Sequence, residues 1–181
     1  MGSTNQAEYK NKNKYKNPKI LAEASIFIAL ATVLSMIAWH MPQGGSVTLA
    51  SMVPVLWLAL RRGPKVGIFA GVIYGFVQLA LLPQVYYPTQ ILLDYPLAFG
   101  CLGLAGFFKN HPITGTIVAV AGRFIMHLIS GAIFFAEWVP TGMNPWVYSL
   151  IYNGSYMIPE LIISCVILAL LHASRVLKVY M

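Results

Sequence analysis

Ile91-Leu92-Leu93-Asp94-Tyr95 begins an apolar run that continues to about Phe108 and holds a single carboxylate. A charge inside a membrane segment costs at least ~2.5 kcal/mol on insertion scales, so Asp94 requires a partner or a purpose. Aromatic neighbours around an acid suit a cation, because ring faces and a carboxylate both attract positive charge. Whether the run crosses a membrane is decided by the rest of the chain.

Of the 181 residues, 58% are hydrophobic and 9% are charged, and the mean hydropathy is +0.70. Soluble domains carry about 25% charged residues. A bilayer core needs ~20 apolar residues per helix, with ~17 as a lower limit. Six spans are expected, at 20–39, 47–60, 65–82, 91–108, 114–135 and 147–172. The fold class is therefore an all-α integral membrane protein with six transmembrane helices. The second span is short and is expected to be tilted, thinned or shielded by its neighbours.

The net charge of +7 follows this topology. Lys10, Lys12, Lys14, Lys16 and Lys19 precede span one, and Arg61, Arg62 and Lys65 join spans two and three. Lys109 lies between spans four and five, and Arg175 and Lys178 follow span six. With six spans all of these fall on one side, whereas links 40–46, 83–90 and 136–146 hold no Lys or Arg. That asymmetry predicts cytoplasmic N and C termini. It also accounts for the basic pI without nucleic acid. The organisation expected is a polar, basic cytoplasmic tail over 1–19 and one membrane domain over 20–181. The Asn/Lys-rich stretch 5–18 is expected to be disordered or to lie on anionic lipid.

Pro42-Gln43-Gly44-Gly45 should break the chain after span one, and Gly63-Pro64 should turn it after span two. Span three carries Gly67, Gly71 and Gly75 at a spacing of four, a flat stripe suited to close packing inside the protein. Span one carries Ser25 and Ala29 in a small-xxx-small pattern, open to internal packing or to a partner helix. Cys101 and Cys165 lie in apolar spans with no metal or disulfide spacing. Trp39, Tyr86, Tyr87 and Trp138 fit either an interfacial belt or a binding wall.

No P-loop, nucleophile elbow, zinc motif or paired-cysteine motif occurs. What remains is a set of polar and aromatic residues near the outer ends of the spans. Asp94, His127, Tyr148 and Asn153 share that depth. His127 and Phe135 are eight residues apart, about 80° around a helix, so both can face one cavity. An acid, aromatic rings and directional hydrogen-bonding groups suit a flat heteroaromatic cation. Arg123 and Glu160 lie at depths that differ by only ~5 Å, at 1.5 Å per residue. The expectation is a structural ion pair between them.

These residues resemble a known family. Pro42-Gln-Gly-Gly-Ser-Val-Thr-Leu, Leu60-Arg-Arg-Gly, Leu93-Asp-Tyr-Pro-Leu-Ala-Phe, Arg123-Phe-Ile-Met-His-Leu-Ile-Ser-Gly and Tyr148-Ser-Leu-Ile-Tyr-Asn-Gly look like the thiamine-specific substrate-binding (S) component of energy-coupling factor (ECF) vitamin transporters. The resemblance covers about residues 20–172. It implies a non-catalytic, multi-pass protein of the bacterial plasma membrane that captures extracellular thiamine and needs no cofactor. Its implied partners are a transmembrane coupling protein and two cytoplasmic ATP-binding proteins. The resemblance places thiazolium contact on Asp94, with Tyr95 beside it. It places further ligand contacts on Tyr74, His127, Tyr148 and Asn153, and docking to the coupling protein on Ser25 and Ala29. Some members have Glu in place of Asp94 and Trp in place of Phe135, and a Trp of the first external loop aligns near Gly45.

Three other readings compete. An autonomous channel or facilitator would need a polar path across the membrane, yet the cytoplasmic half is apolar apart from Arg123 and Glu160. An intramembrane enzyme using Asp94 and His127 as acid and base would need a nucleophile or metal. An S component for a neutral or anionic vitamin would be poorly matched to an intramembrane acid.

Overall fold

A computed structural model describes residues 18–41 and 45–174. The expected tail over 1–19 lies outside the described residues apart from Pro18 and Lys19, which open the first helix. The expected break at Pro42-Gln43-Gly44 and the terminal Arg175 and Lys178 also lie outside them.

Six main helices, a short 3-10 helix at Ala136–Trp138 and a small hairpin make up the described secondary structure. The main helices are α1 (Pro18–Ser35), α2 (Val53–Arg62), α3 (Pro64–Leu81), α4 (Pro88–Phe107), α5 (Pro112–Phe134) and α6 (Pro145–Ala173). All but α2 are long and apolar enough to cross a membrane, so the chain is a multi-pass membrane protein. A proline stands in the first turn of each helix from α2 to α6. There its missing N–H costs nothing and its fixed φ favours the helix. Asn144 caps α6, its side-chain oxygen accepting from the Trp146 N–H at 2.9 Å. Gly63, at φ +96°, makes the reversal between α2 and α3, a conformation costly for any residue with a Cβ.

The glycines of α3 face protein. A Cβ on Gly71 would overlap the Phe99 carbonyl, and one on Gly75 would stand 2.6 Å from the Tyr95 carbonyl oxygen. Gly67 likewise meets Ala59 and Gly103. The stripe lets α3 lie directly on the α4 backbone, as internal packing requires.

The first two spans differ from expectation. Helix α1 ends at Ser35 rather than near 39, and the chain then forms a two-stranded hairpin, β1 (Ala38–His40) and β2 (Ser46–Thr48). Ala38 pairs with Thr48, Trp39 with Val47 and His40 with Ser46. Residues 47–52, expected in span two, are therefore strand and loop, and the helix is displaced to Val53–Arg62. At ten residues α2 is ~15 Å long. It can be short because it hardly meets lipid: Val55, Leu56, Leu58, Ala59 and Leu60 are fully buried. Of the expected remedies for its length, shielding by neighbours is the one these burials show.

Helix α4 is regular only in part. A π-helical turn spans Leu93–Leu97 with Pro96 inside it, and a 3-10 segment spans Cys101–Phe107. Proline cannot supply the N–H of a regular helical ladder. The widened turn absorbs that defect at the level of Asp94, and such turns recur at functional sites.

The expected ion pair between Arg123 and Glu160 does not form. Glu160, only 3% exposed midway along α6, receives the Thr48 backbone N–H at 2.5 Å and its hydroxyl at 2.6 Å. Arg123 instead places its guanidinium 4.2 Å from the centre of the Phe99 ring. Equal depth left azimuth undetermined. Glu160 faces the hairpin and Arg123 faces α4. Ion pairs from Glu23 tie α1 to α2. Glu23 meets Arg61 at 2.8 Å and Arg62 at 2.5 Å.

Candidate functional site

The π turn of α4 presents Asp94 to α5. Its Oδ1 lies 3.1 Å from His127 Nδ1, and its Oδ2 accepts from Gln90 Nε2 at 2.7 Å. Arg123, one turn from His127 on α5, donates from Nε to His127 Nε2 at 3.3 Å. A guanidinium can only donate. The ring therefore accepts at Nε2 and carries its proton on Nδ1, which donates to Asp94. A neutral imidazole thus links the arginine to the acid.

Helix α6 adds a second polar layer. Asn153 donates to the Ser149 carbonyl at 2.9 Å and to Ser149 Oγ at 3.1 Å, and its amide stands 3.4 Å from the His127 carbonyl. Ser149 Oγ donates to the Leu128 carbonyl at 2.9 Å. This contact requires Gly131, where a Cβ would strike Ser149 Oγ. Tyr156 donates to Asn153 Oδ1 at 2.6 Å, and its ring stands edge-on to His127. Tyr148 stacks on Tyr152 at 6.2 Å, and Tyr152 meets Tyr156 edge-on. These three tyrosines make an aromatic flank along α6.

A further aromatic group stands where α5 ends. Tyr86 packs edge-on against Phe135 at 5.3 Å and Trp138 at 4.7 Å. Phe135 and Trp138 also touch, at 5.7 Å between ring centres. The link before α4 is held by Tyr95, whose hydroxyl donates to the Leu82 carbonyl at 2.8 Å and accepts from the Gln84 N–H at 2.9 Å.

The structure brings Asp94, His127 and Asn153 into one neighbourhood, with Tyr148 in the flank beside them and Phe135 in the upper aromatic group. Tyr95 points to the 82–84 link and fixes it. Tyr74 lies deeper, fully buried, its hydroxyl 3.3 Å from the Ala31 carbonyl and its ring edge-on to Phe99 at 4.9 Å. Ser25 and Ala29 are exposed on α1. Sequence reasoning missed Gln90, Ser149 and Tyr156. Gln90 was findable, because a residue four before Asp94 on a helix lies on the same face. Ser149 and Tyr156 carry no such signal, since a serine or tyrosine in an apolar helix is ordinary.

The arrangement sets one carboxylate among rings inside an apolar bundle. It can attract a cation, stack a flat ring and orient polar edges. The hairpin reaches this layer, because a Cβ on Gly45 would overlap the Tyr156 ring.

Known proteins share this architecture. The thiamine transporter ThiT of Bacillus subtilis is 36% identical over 190 residues, covering 92% of this chain and 97% of that protein. The thiamine transporter ThiT of Lacticaseibacillus paracasei is 28% identical, covering 87% and 89%. A solved structure of ThiT from Listeria monocytogenes superposes with a TM-score of 0.79 at 26% identity, covering 87% of this chain and 96% of that one. Residues 21–179 match the family described as thiamine transporter protein, Thia_YuaJ, and with nearly its whole length in that match the chain belongs to the thiamine transporter family.

Proposed function

We propose that this protein is the thiamine-binding S component of an ECF-type vitamin uptake system in a bacterial plasma membrane. Both termini are cytoplasmic, and the Asp94 end of the bundle faces outward. The observation that carries the reading is the Asp94 carboxylate, held by Gln90 and His127 inside an apolar span and flanked by aromatic groups. Thiamine joins a permanently charged thiazolium to a flat aminopyrimidine. The acid balances the first, and the Phe135 and Tyr148 groups supply faces for stacking. Asn153 and His127 offer directional contacts, and Tyr95 and Tyr74 support the site from its edge and from below. The thiamine transporters among its relatives support this choice of cation.

The protein acts as a non-catalytic subunit. Delivery into the cell depends on a transmembrane coupling protein and two cytoplasmic ATP-binding proteins, with Ser25 and Ala29 on the docking face of α1. The reading is tested by titrating detergent-purified protein with thiamine while following tryptophan fluorescence. A saturable change at one equivalent is expected. A folded protein that gives neither a fluorescence change nor calorimetric heat overturns it.

A further inference from the structure

Gln90 lies in the first turns of α4 and is 1% exposed. A primary amide offers two N–H donors and one carbonyl acceptor, and all of them are engaged. Nε2 donates to Asp94 Oδ2 at 2.7 Å and to the Gln84 carbonyl at 3.0 Å, while Oε1 accepts from the Tyr86 N–H at 3.2 Å. One buried group therefore holds both the acid and the backbone of the link that carries Tyr86. The Tyr86 ring in turn rests on Phe135 and Trp138.

Resting on the cation-binding reading above, we propose that Gln90 is a positioning residue that locks the Asp94 carboxylate and the Tyr86–Phe135–Trp138 group into one unit and so sets how long the ligand stays bound. His127 fixes only one carboxylate oxygen. Without Gln90 the carboxylate can turn about its Cβ–Cγ bond, and the 84–86 link loses two of its anchors. Both changes loosen the bound state more than the encounter, so the effect falls on dissociation.

The experiment compares thiamine affinity and dissociation rate for the wild-type protein, Gln90→Ala, Asp94→Ala and the double variant. In the wild-type background Gln90→Ala should weaken binding by about 10- to 100-fold, the scale of a hydrogen bond to a charged group, through faster dissociation. In the Asp94→Ala background the same change should cost several-fold less, because only the anchoring of the 84–86 link is left to lose. Equal losses in the two backgrounds would mean that Gln90 only supports the fold, and no loss in either would remove its role; both results overturn the inference and leave the thiamine reading standing. A wild-type protein that does not bind thiamine overturns both. If Gln90→Ala does not fold, Gln90→Met replaces it, filling the space without donor or acceptor, and is judged by the same two comparisons.

Discussion

On the thiamine-binding reading proposed above, Asp94 is the residue on which recognition would turn. Its two oxygens are held separately, Oδ2 by the Gln90 amide and Oδ1 by His127 Nδ1. Asp94→Asn should weaken thiamine binding by ~1.5–3 kcal/mol, the range for charge-assisted hydrogen bonds. Calorimetric titration checks this, and unchanged affinity in a folded variant would remove Asp94 from the site. Phe135 makes edge-on contacts with Tyr86 and Trp138 and, on the same reading, would contribute through stacking. Phe135→Ala should reduce affinity by ~0.5–1.5 kcal/mol beyond the lost area. The melting temperature should hold, because Phe135 packs in the link layer and not in the bundle core. Asp94 was legible in the sequence because a charge in an apolar run is costly and so conspicuous. The Arg123 and Glu160 partners were not, since helical rise gives height along the membrane but not which neighbour a side chain faces.

Among the elements, the hairpin shows most clearly what apolar patterning cannot decide. Met36, Ile37 and Trp39 are as apolar as a helix end and extend the first run without a break. Yet they leave α1, and Trp39 is 78% exposed on the hairpin. Backbone at that depth is tolerated only where its polar groups are satisfied within the protein. The strands satisfy one another, and Glu160 takes the Thr48 N–H and hydroxyl where β2 ends. Helix α2, by contrast, starts where Pro54 allows and is short because protein surrounds it. The glycine stripe of α3 was readable because its period matches the helix, whereas the π turn in α4 is a backbone adjustment with only Pro96 to announce it. Glu160→Ala would leave the part-buried Thr48 N–H without its acceptor. A loss of about 1.5–3 kcal/mol in stability is expected, as for hydrogen bonds to charged groups. Hydrogen exchange should localise the effect to residues 46–49, and protection there equal to the wild type would show that the hairpin is held otherwise.

For the whole molecule, the separation of two surfaces matters more than any single contact. The site sits between α4, α5 and α6, and it is reached by the hairpin and by the link before α4. Helix α1 packs on α2 and α3 and is pinned by Glu23 to Arg61 and Arg62. Its other face, with Ser25 and Ala29 exposed, belongs to no internal contact of the site. Ser25 Oγ is turned back on the Leu21 carbonyl at 3.0 Å, so its hydroxyl does not roughen that surface. Small residues at a spacing of four let a second helix approach closely, and a bulky side chain there would hold it away. Because both positions are exposed, Ser25→Trp and Ala29→Trp should fold normally. They should bind thiamine with nearly wild-type affinity as isolated proteins and abolish thiamine uptake in cells that carry the coupling protein and ATP-binding partners. Loss of binding together with uptake would place the defect in folding. Full uptake by both variants would clear α1 of docking. Uptake by the wild-type chain alone in liposomes, without ATP, would replace the coupled subunit with an autonomous facilitator.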